Sequence, residues 1–241
     1  MSKLQRPLIL LAIAILSGFI ILKIREALRV RAGGPATIAS RIKEFGSRVE
    51  KRLRPDFDRA GVPYPPARVV LVGLKHERQV EVYAAGSKGP LRFIRSYVIK
   101  CASGNLGPKL QEGDRQVPEG LYQIEYLNPN STYHLSMKID YPNAFDRARG
   151  SEGRRSNLGS DIMIHGNAVS AGCLAMGDAA AEDLFVLAAL AGIKNVSLIL
   201  SPVDFRQREM PPLPKYATPL PAWTQMLYPQ LREALKKLPS P

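Results

Sequence analysis

The chain has 241 residues, 45% hydrophobic and 23% charged, a balance that excludes a disordered or low-complexity protein and allows one sizeable core with appendages. Lys and Arg outnumber Asp and Glu by 34 to 21, for a formal net charge of +13, and residues 1–68 hold 14 of these basic residues against 5 acidic ones. Such charge suits nucleic acid, anionic lipid or an acidic polymer.

At the N-terminus Lys3 and Arg6 precede an uncharged apolar run, residues 7–22, which Lys23, Arg25, Arg29 and Arg31 follow. A basic region followed by a hydrophobic one marks an export signal or signal anchor, so residues 1–24 are assigned that role. The run is apolar all round, unlike a buried amphipathic helix. Val30-Arg31-Ala32 offers a cleavage site only beyond four basic residues, so an uncleaved inner-membrane anchor over residues 7–24 is favoured over a cleaved signal peptide. Export places the remainder in the periplasm or cell envelope. It lowers nucleic acid as a partner and raises the membrane surface or an anionic wall polymer.

In residues 37–53 Ile38, Ile42, Phe45, Val49 and Leu53 recur at helical spacing between Arg and Lys, which predicts a basic amphipathic helix. Pro55 and the prolines at 63, 65 and 66 then break the chain, so residues 25–66 are expected to be a basic helical spacer between membrane and domain. Segments 68–74, 79–84, 91–99, 120–126, 132–139, 161–165 and 195–200 are rich in Val, Ile, Leu and Tyr and are separated by Gly, Pro and Asn. They predict strands of an antiparallel β core. One main helix is expected from Asp178, as N-cap, to Gly192. Residues 203–241 hold a Pro-rich segment and a short helix near 223–237.

The chemistry-bearing pattern is Asp161-Ile162-Met163-Ile164-His165-Gly166, then Ser170-Ala171-Gly172-Cys173 ahead of the main helix. Cysteine attacks as thiolate, and its ordinary pKa of about 8.5 calls for a nearby base or cation at neutral pH. A tight loop that brings His165 to Cys173 would supply one. Gly166 and Gly172 free the backbone on both sides of that loop, and the Gly172 amide is a candidate oxyanion donor. Two other readings stand beside it. A strand-closing histidine and a Gly-Cys pair are also ordinary packing features, and in an exported protein Cys101 and Cys173 are candidates for one disulfide. With His76, His134 and His165 scattered and no CxxC or HxxxH, no metal site is expected. No cofactor motif is present. His134 alternates onto the polar face of segment 132–139, where it lines a groove or faces solvent.

The order His165-Gly166, then Ser170-x-Gly172-Cys173, resembles the active-site signature of the YkuD-type L,D-transpeptidase catalytic domain. Four further stretches resemble the YafK (DpaA-like) branch of that family: Ser103-Gly104-Asn105-Leu106-Gly107-Pro108-Lys109, residues 112–122, Asn128-Pro129-Asn130-Ser131, and Asp140-Tyr141-Pro142-Asn143-Ala144-Phe145-Asp146. The resemblance spans about residues 68–202. It implies a mainly β (α+β) fold, a β-sandwich or barrel catalytic domain over residues 67–202 with one main helix after the nucleophile. It also implies a cysteine enzyme acting on peptidoglycan stem peptides at an L-centre of diaminopimelate. By position Cys173 matches the nucleophile, His165 the general base and acid, and Gly172 part of the oxyanion turn. Ser170, His134, Tyr141 and Asn143 stand as candidate substrate contacts.

Ala171 occupies the place of the family's second histidine and Ala175 that of its Arg or Asn, and the gap from His165 to Cys173 is short. These departures resemble the YafK branch, whose members are associated with hydrolysing diaminopimelate-lysine links to a wall-bound lipoprotein. The competing readings are a non-catalytic peptidoglycan-binding module of the same fold and an NlpC/P60-type thiol peptidase. The second places cysteine before histidine in the chain, opposite to the order here.

Overall fold

The computed structural model describes residues 34–215 and 217–241. The expected membrane segment, residues 1–24, lies outside them, and among the described residues no helix is long and apolar enough to cross a membrane. Residues 37–241 form one compact unit.

Helix α1, Ile38–Ala60, opens on a capping box between Thr37 and Ser40 and closes on Gly61 in the left-handed conformation at φ 66°, as caps of these residue types do. It runs past the predicted stop at Leu53 and through Pro55. The missing amide costs one helical hydrogen bond, but Asp56 and Phe57 beyond the proline are buried with Phe45, Val49 and Leu53. Packing of that stripe carries the helix on. The expected spacer is therefore part of the compact domain from residue 37 onward and contributes to its core from Phe45.

Eight strands follow: β1 Arg68–Leu74, β2 Gln79–Ala85, β3 Arg92–Val98, β4 Gly120–Asn128, β5 Ser136–Ile139, β6 Met163–His165, β7 Leu174–Ala175 and β8 Val196–Ser201. They form one sheet in the order β3-β2-β1-β8-β4-β5-β6-β7. Contrary to the antiparallel expectation the sheet is mixed, because β1 pairs with β8, and β6 with β7, in parallel. The sheet curls until its ends meet. Directly after β3, Cys101 bridges Ala175 of β7, with Ala175 N donating to Cys101 O at 2.9 Å and Lys100 N to Ala175 O at 2.8 Å. That closure is the barrel-like side of the predicted fold class.

Both faces of β1 are covered, which explains its unbroken apolar run. Val69 and Leu71 face a core shared with α1 and helix α3, Asp178–Ala191. Val72 and Leu74 face a second core closed by helix α4, Thr224–Lys236, through Leu227, Leu231 and Leu235. Ion pairs seal the first layer. Arg48 and Arg52 of α1 reach Glu182 of α3 at 2.6 and 3.0 Å, Arg52 also holds Asp183 at 2.6 Å, and Tyr97 of β3 donates to Asp183 at 3.0 Å. These α1 arginines are spent inside the domain.

A helix that periodicity did not show, α2 Ala144–Glu152, follows β5 and is capped reciprocally by Asn143 and Asp146. Of its residues only Gly150 is buried, so it carries no apolar stripe to read.

Candidate active site

Strands β6 and β7 are short, three and two residues, yet their parallel register places the chemistry. Ile164 lies beside Leu174 and His165 beside Ala175. One step back, Cys173 falls beside Met163, whose amide donates to Cys173 Sγ at 3.4 Å. β7 begins at Leu174, so Cys173 lies one residue outside the paired register, and its thiol turns toward the backbone of the segment that leads through Met163 to His165.

The two groups are held separately. Among the described residues the thiol bonds to Met163 N and, as donor, to Asp161 O at 3.7 Å, and no hydrogen bond joins it to His165. The direct thiol-imidazole bond anticipated from the sequence is absent in this state. His165 is 2% exposed, and its Nδ1 lies 2.6 Å from Gly166 O. A carbonyl only accepts, so Nδ1 carries the proton and Nε2 keeps the basic lone pair. Burial pulls the imidazole pKa below its usual value, against the opposing pull of the Gly166 carbonyl. Burial also pushes the Cys173 thiol up, with the Met163 amide acting the other way. The resting pair is thus a neutral thiol and a neutral imidazole, the form suited to general-base activation at the moment of attack rather than to a standing ion pair.

The loop between them is fixed by backbone contacts at small residues. A Cβ on Gly166 would lie 2.6 Å from Asp178 Oδ1 and 2.7 Å from Tyr133 O, so only glycine fits. Asp178, expected as an N-cap, instead accepts from Asn167 N at 2.8 Å, and the helix cap position is Gly177. Gly172 adopts φ +110°, a region open to glycine.

Its amide donates to Ser103 Oγ at 2.7 Å, so in this state the candidate oxyanion donor is engaged. The Gly166 amide is likewise engaged, donating to Leu135 O at 3.1 Å. Ser170 Oγ donates to Cys173 O at 2.6 Å and sits 3.3 Å from Ser103 Oγ, making it a clasp on the turn rather than an open substrate contact.

The remaining candidates lie elsewhere. His134, at φ 72° just before the shortened β5, turns its Nε2 to Glu182 at 3.0 Å and its ring to Phe45 at 5.3 Å. It belongs to the ion-paired helix layer. Tyr141 is buried and donates to Leu158 O at 3.0 Å, while Asn143 caps α2 and donates from Nδ2 to Leu121 O at 2.9 Å. Both serve the fold, and neither contacts the thiol or the imidazole.

Three residues join the site that site selection from sequence missed. Tyr133 stacks on the His165 ring at 4.8 Å and is 42% exposed. Ser103 clasps Gly172. Lys109, buried and paired to Asp114 at 2.7 Å, lies near enough for its charge to draw on the Cys173 thiol. Ser103 and Lys109 stand at the two ends of the 103–109 motif, which was the available signal. Cys101 and Cys173 are both free thiols, and no cluster of metal-binding side chains occurs among the described residues.

Residues 67–196, more than half of the chain, match the YkuD family, the L,D-transpeptidase catalytic domain. The chain is 39% identical over 113 residues to YafK of Escherichia coli strain K12 and, equally, to YafK of strain O157:H7, a match covering 46% of this chain and 43% of each relative. The match thus spans less than half the length of these curated relatives. Among solved structures, the helical cell shape determining protein Pgp2 of Campylobacter jejuni is similar at 23% identity and a TM-score of 0.44, over 55% of this chain and 47% of that one. L,D-transpeptidase 1 of Mycobacterium tuberculosis aligns at 13% identity and a TM-score of 0.33, over 56% and 62%.

Proposed function

For a chain that belongs to the YkuD family of L,D-transpeptidase catalytic domains, we propose the role of a cell-envelope cysteine enzyme that acts on peptidoglycan stem peptides at the L-centre of diaminopimelate. The observation that supports this is the parallel pairing of β6 with β7, which brings Cys173 against the Met163 amide two residues before His165, together with the Gly166 carbonyl on Nδ1 that leaves Nε2 as the base.

His165 Nε2 takes the proton of Cys173 Sγ as sulfur attacks the diaminopimelate carbonyl. The tetrahedral intermediate collapses when the imidazolium returns that proton to the leaving amine, which departs and leaves a thioester on Cys173. Nε2 then deprotonates the second nucleophile. Attack by an amine forms a new crosslink and attack by water releases the free acid, the thiol being restored in both. The Gly172 amide becomes an oxyanion donor by exchanging Ser103 Oγ for the substrate oxygen.

Hydrolysis of a diaminopimelate-lysine link to a wall-bound lipoprotein is the favoured outcome. The position two after the cysteine, where family members carry Arg or Asn, is Ala175, fully buried between His165 of β6 and Cys101. This chain has no guanidinium there to hold an acceptor carboxylate. Anchoring by residues 7–24 and a periplasmic location complete the proposal.

The test is incubation of the full chain with plain and lipoprotein-linked sacculi, followed by mass spectrometry of the muropeptides. Release of lipoprotein by the parent chain, lost in Cys173→Ala and in His165→Ala, is expected. Unchanged product from Cys173→Ala would refute the assignment.

A further inference from the structure

Beside the nucleophile turn lies a cavity of about 410 Å³ that the acyl-transfer steps above do not use. One wall is the turn between β1 and β2, carrying His76 and Arg78, and the floor is the segment from Ala102 to Leu106. The far wall is Pro211, Pro212 and Pro214, which lie beyond the residues matched to the family and give the cavity a side built by this chain's own C-terminal segment.

Its chemistry is one-sided. No carboxylate lines it. Arg78 gives one guanidinium hydrogen to Lys100 O at 3.3 Å, which leaves most of its five donors uncommitted. Among the described residues the His76 ring and the Asn105 carboxamide have no hydrogen-bond partner, and both residues line the cavity. Lys75 adds no free charge, because its Nζ is held by Glu119 at 2.9 Å and by the carbonyls of Gly107 and Val117. A cavity with a partly free guanidinium, an imidazole and an amide donor, and no competing acid, is built for a carboxylate.

Its position says whose carboxylate. Ser103 lines the cavity and through Oγ also holds the Gly172 amide next to Cys173. A peptide held on Cys173 extends about 3.3–3.6 Å per residue, so a cavity sharing Ser103 with the nucleophile turn receives a group from an adjoining residue, not from a distant one.

We propose that the cavity between the β1–β2 turn and the Pro211–Pro214 wall is a subsite in which Arg78, with His76 and Asn105, binds a free carboxylate of the peptide whose neighbouring carbonyl is presented to Cys173. This rests on the peptidoglycan role proposed above. Arg78 acts as a specificity residue with no part in proton transfer.

The experiment is calorimetric titration of the full Cys173→Ala chain with two probes, the stem tetrapeptide L-Ala-γ-D-Glu-meso-diaminopimelate-D-Ala and the same peptide with its carboxylates amidated. The carboxylate form is expected to bind roughly tenfold tighter, the worth of one charge-assisted hydrogen bond. Adding Arg78→Gln should bring the ratio near one at unchanged melting temperature, and Arg78→Lys should keep part of it. A preference that survives Arg78→Gln, or equal binding of both probes to the parent, overturns the subsite. In that case release of muropeptides by the chain with Cys173 in place still upholds the enzyme role. If the parent binds neither probe and the Cys173 chain releases nothing from sacculi, the peptidoglycan role itself fails, and the subsite with it.

Discussion

The helical layer and the nucleophile loop are secured in opposite ways. Helices α1 and α3 are joined by large fully buried side chains, Phe45, Leu53, Phe57 and Phe185 among them, and by arginines set on Glu182 and Asp183. The loop from His165 to Cys173 has little side-chain bulk. It is placed by amides and hydroxyls: Asp178 on Asn167, Ser103 on Gly172, Ser170 on the Cys173 carbonyl. Burial stabilises in proportion to apolar area without fixing a group to a fraction of an ångström, whereas short directional bonds at glycine and serine do fix one. Stability and catalytic geometry are therefore separable by mutation.

The largest effect falls on the helical side. Leu53→Ala in α1, where Leu53 is 0% exposed, should cost about 2–5 kcal/mol through lost burial and the cavity left behind. That corresponds to a melting temperature lower by roughly 5–15 °C. Turnover per folded molecule at low temperature should be unchanged. A drop in kcat without a drop in melting temperature would erase the distinction between the two regions.

Ser103→Ala should show the reverse. It removes the acceptor of the Gly172 amide and the neighbour of Ser170. The expected loss is roughly 10- to 100-fold in kcat/KM on sacculi, because a small misplacement of a reacting group is costly. Thermal unfolding should shift by only a few degrees. Full activity would show that the turn keeps its shape without this clasp.

A smaller, chemical effect sharpens the account of the resting state. Burial raises the Cys173 thiol pKa and lowers that of His165. Alkylation of Cys173 by iodoacetamide should therefore climb with pH through a midpoint above the ordinary value of about 8.5. In the same chain turnover should already have risen at lower pH, where the imidazole loses its proton below its usual value of about 6.5. An alkylation midpoint near or below 7 would reveal a standing thiolate-imidazolium pair instead.

The same contrast separates what could be read from the sequence. The stripe from Ile38 to Leu53 announces α1 because apolar residues recur every helical turn, while β1 and β2 show as apolar runs buried on both faces and β4 as an alternation of buried and exposed residues. The loop from His165 to Cys173 was singled out by its signature residues. Helix α2 was not, having no apolar stripe, nor was β7, whose two residues are too few to show a period. The parallel pairing of β1 with β8 and the pairing of Arg48 and Arg52 with Glu182 join residues more than a hundred positions apart, which local pattern does not encode. For the same reason the polar-face position of His134, one residue from the tyrosine that stacks on His165, left groove and solvent both open, and the ring is instead bound to Glu182. Ser103 was visible only as part of a motif, and its task became apparent once Gly172 lay against it.

The most direct test of Cys173 as nucleophile is the mass of the intact protein after brief exposure to sacculi and acid quenching. A stem-peptide adduct mapped to Cys173, absent from Cys173→Ala and accumulating in the Ser103→Ala chain no faster than in the parent, is the predicted result. Released muropeptides from a chain that never carries such an adduct, or that still forms product with alanine at position 173, would contradict it.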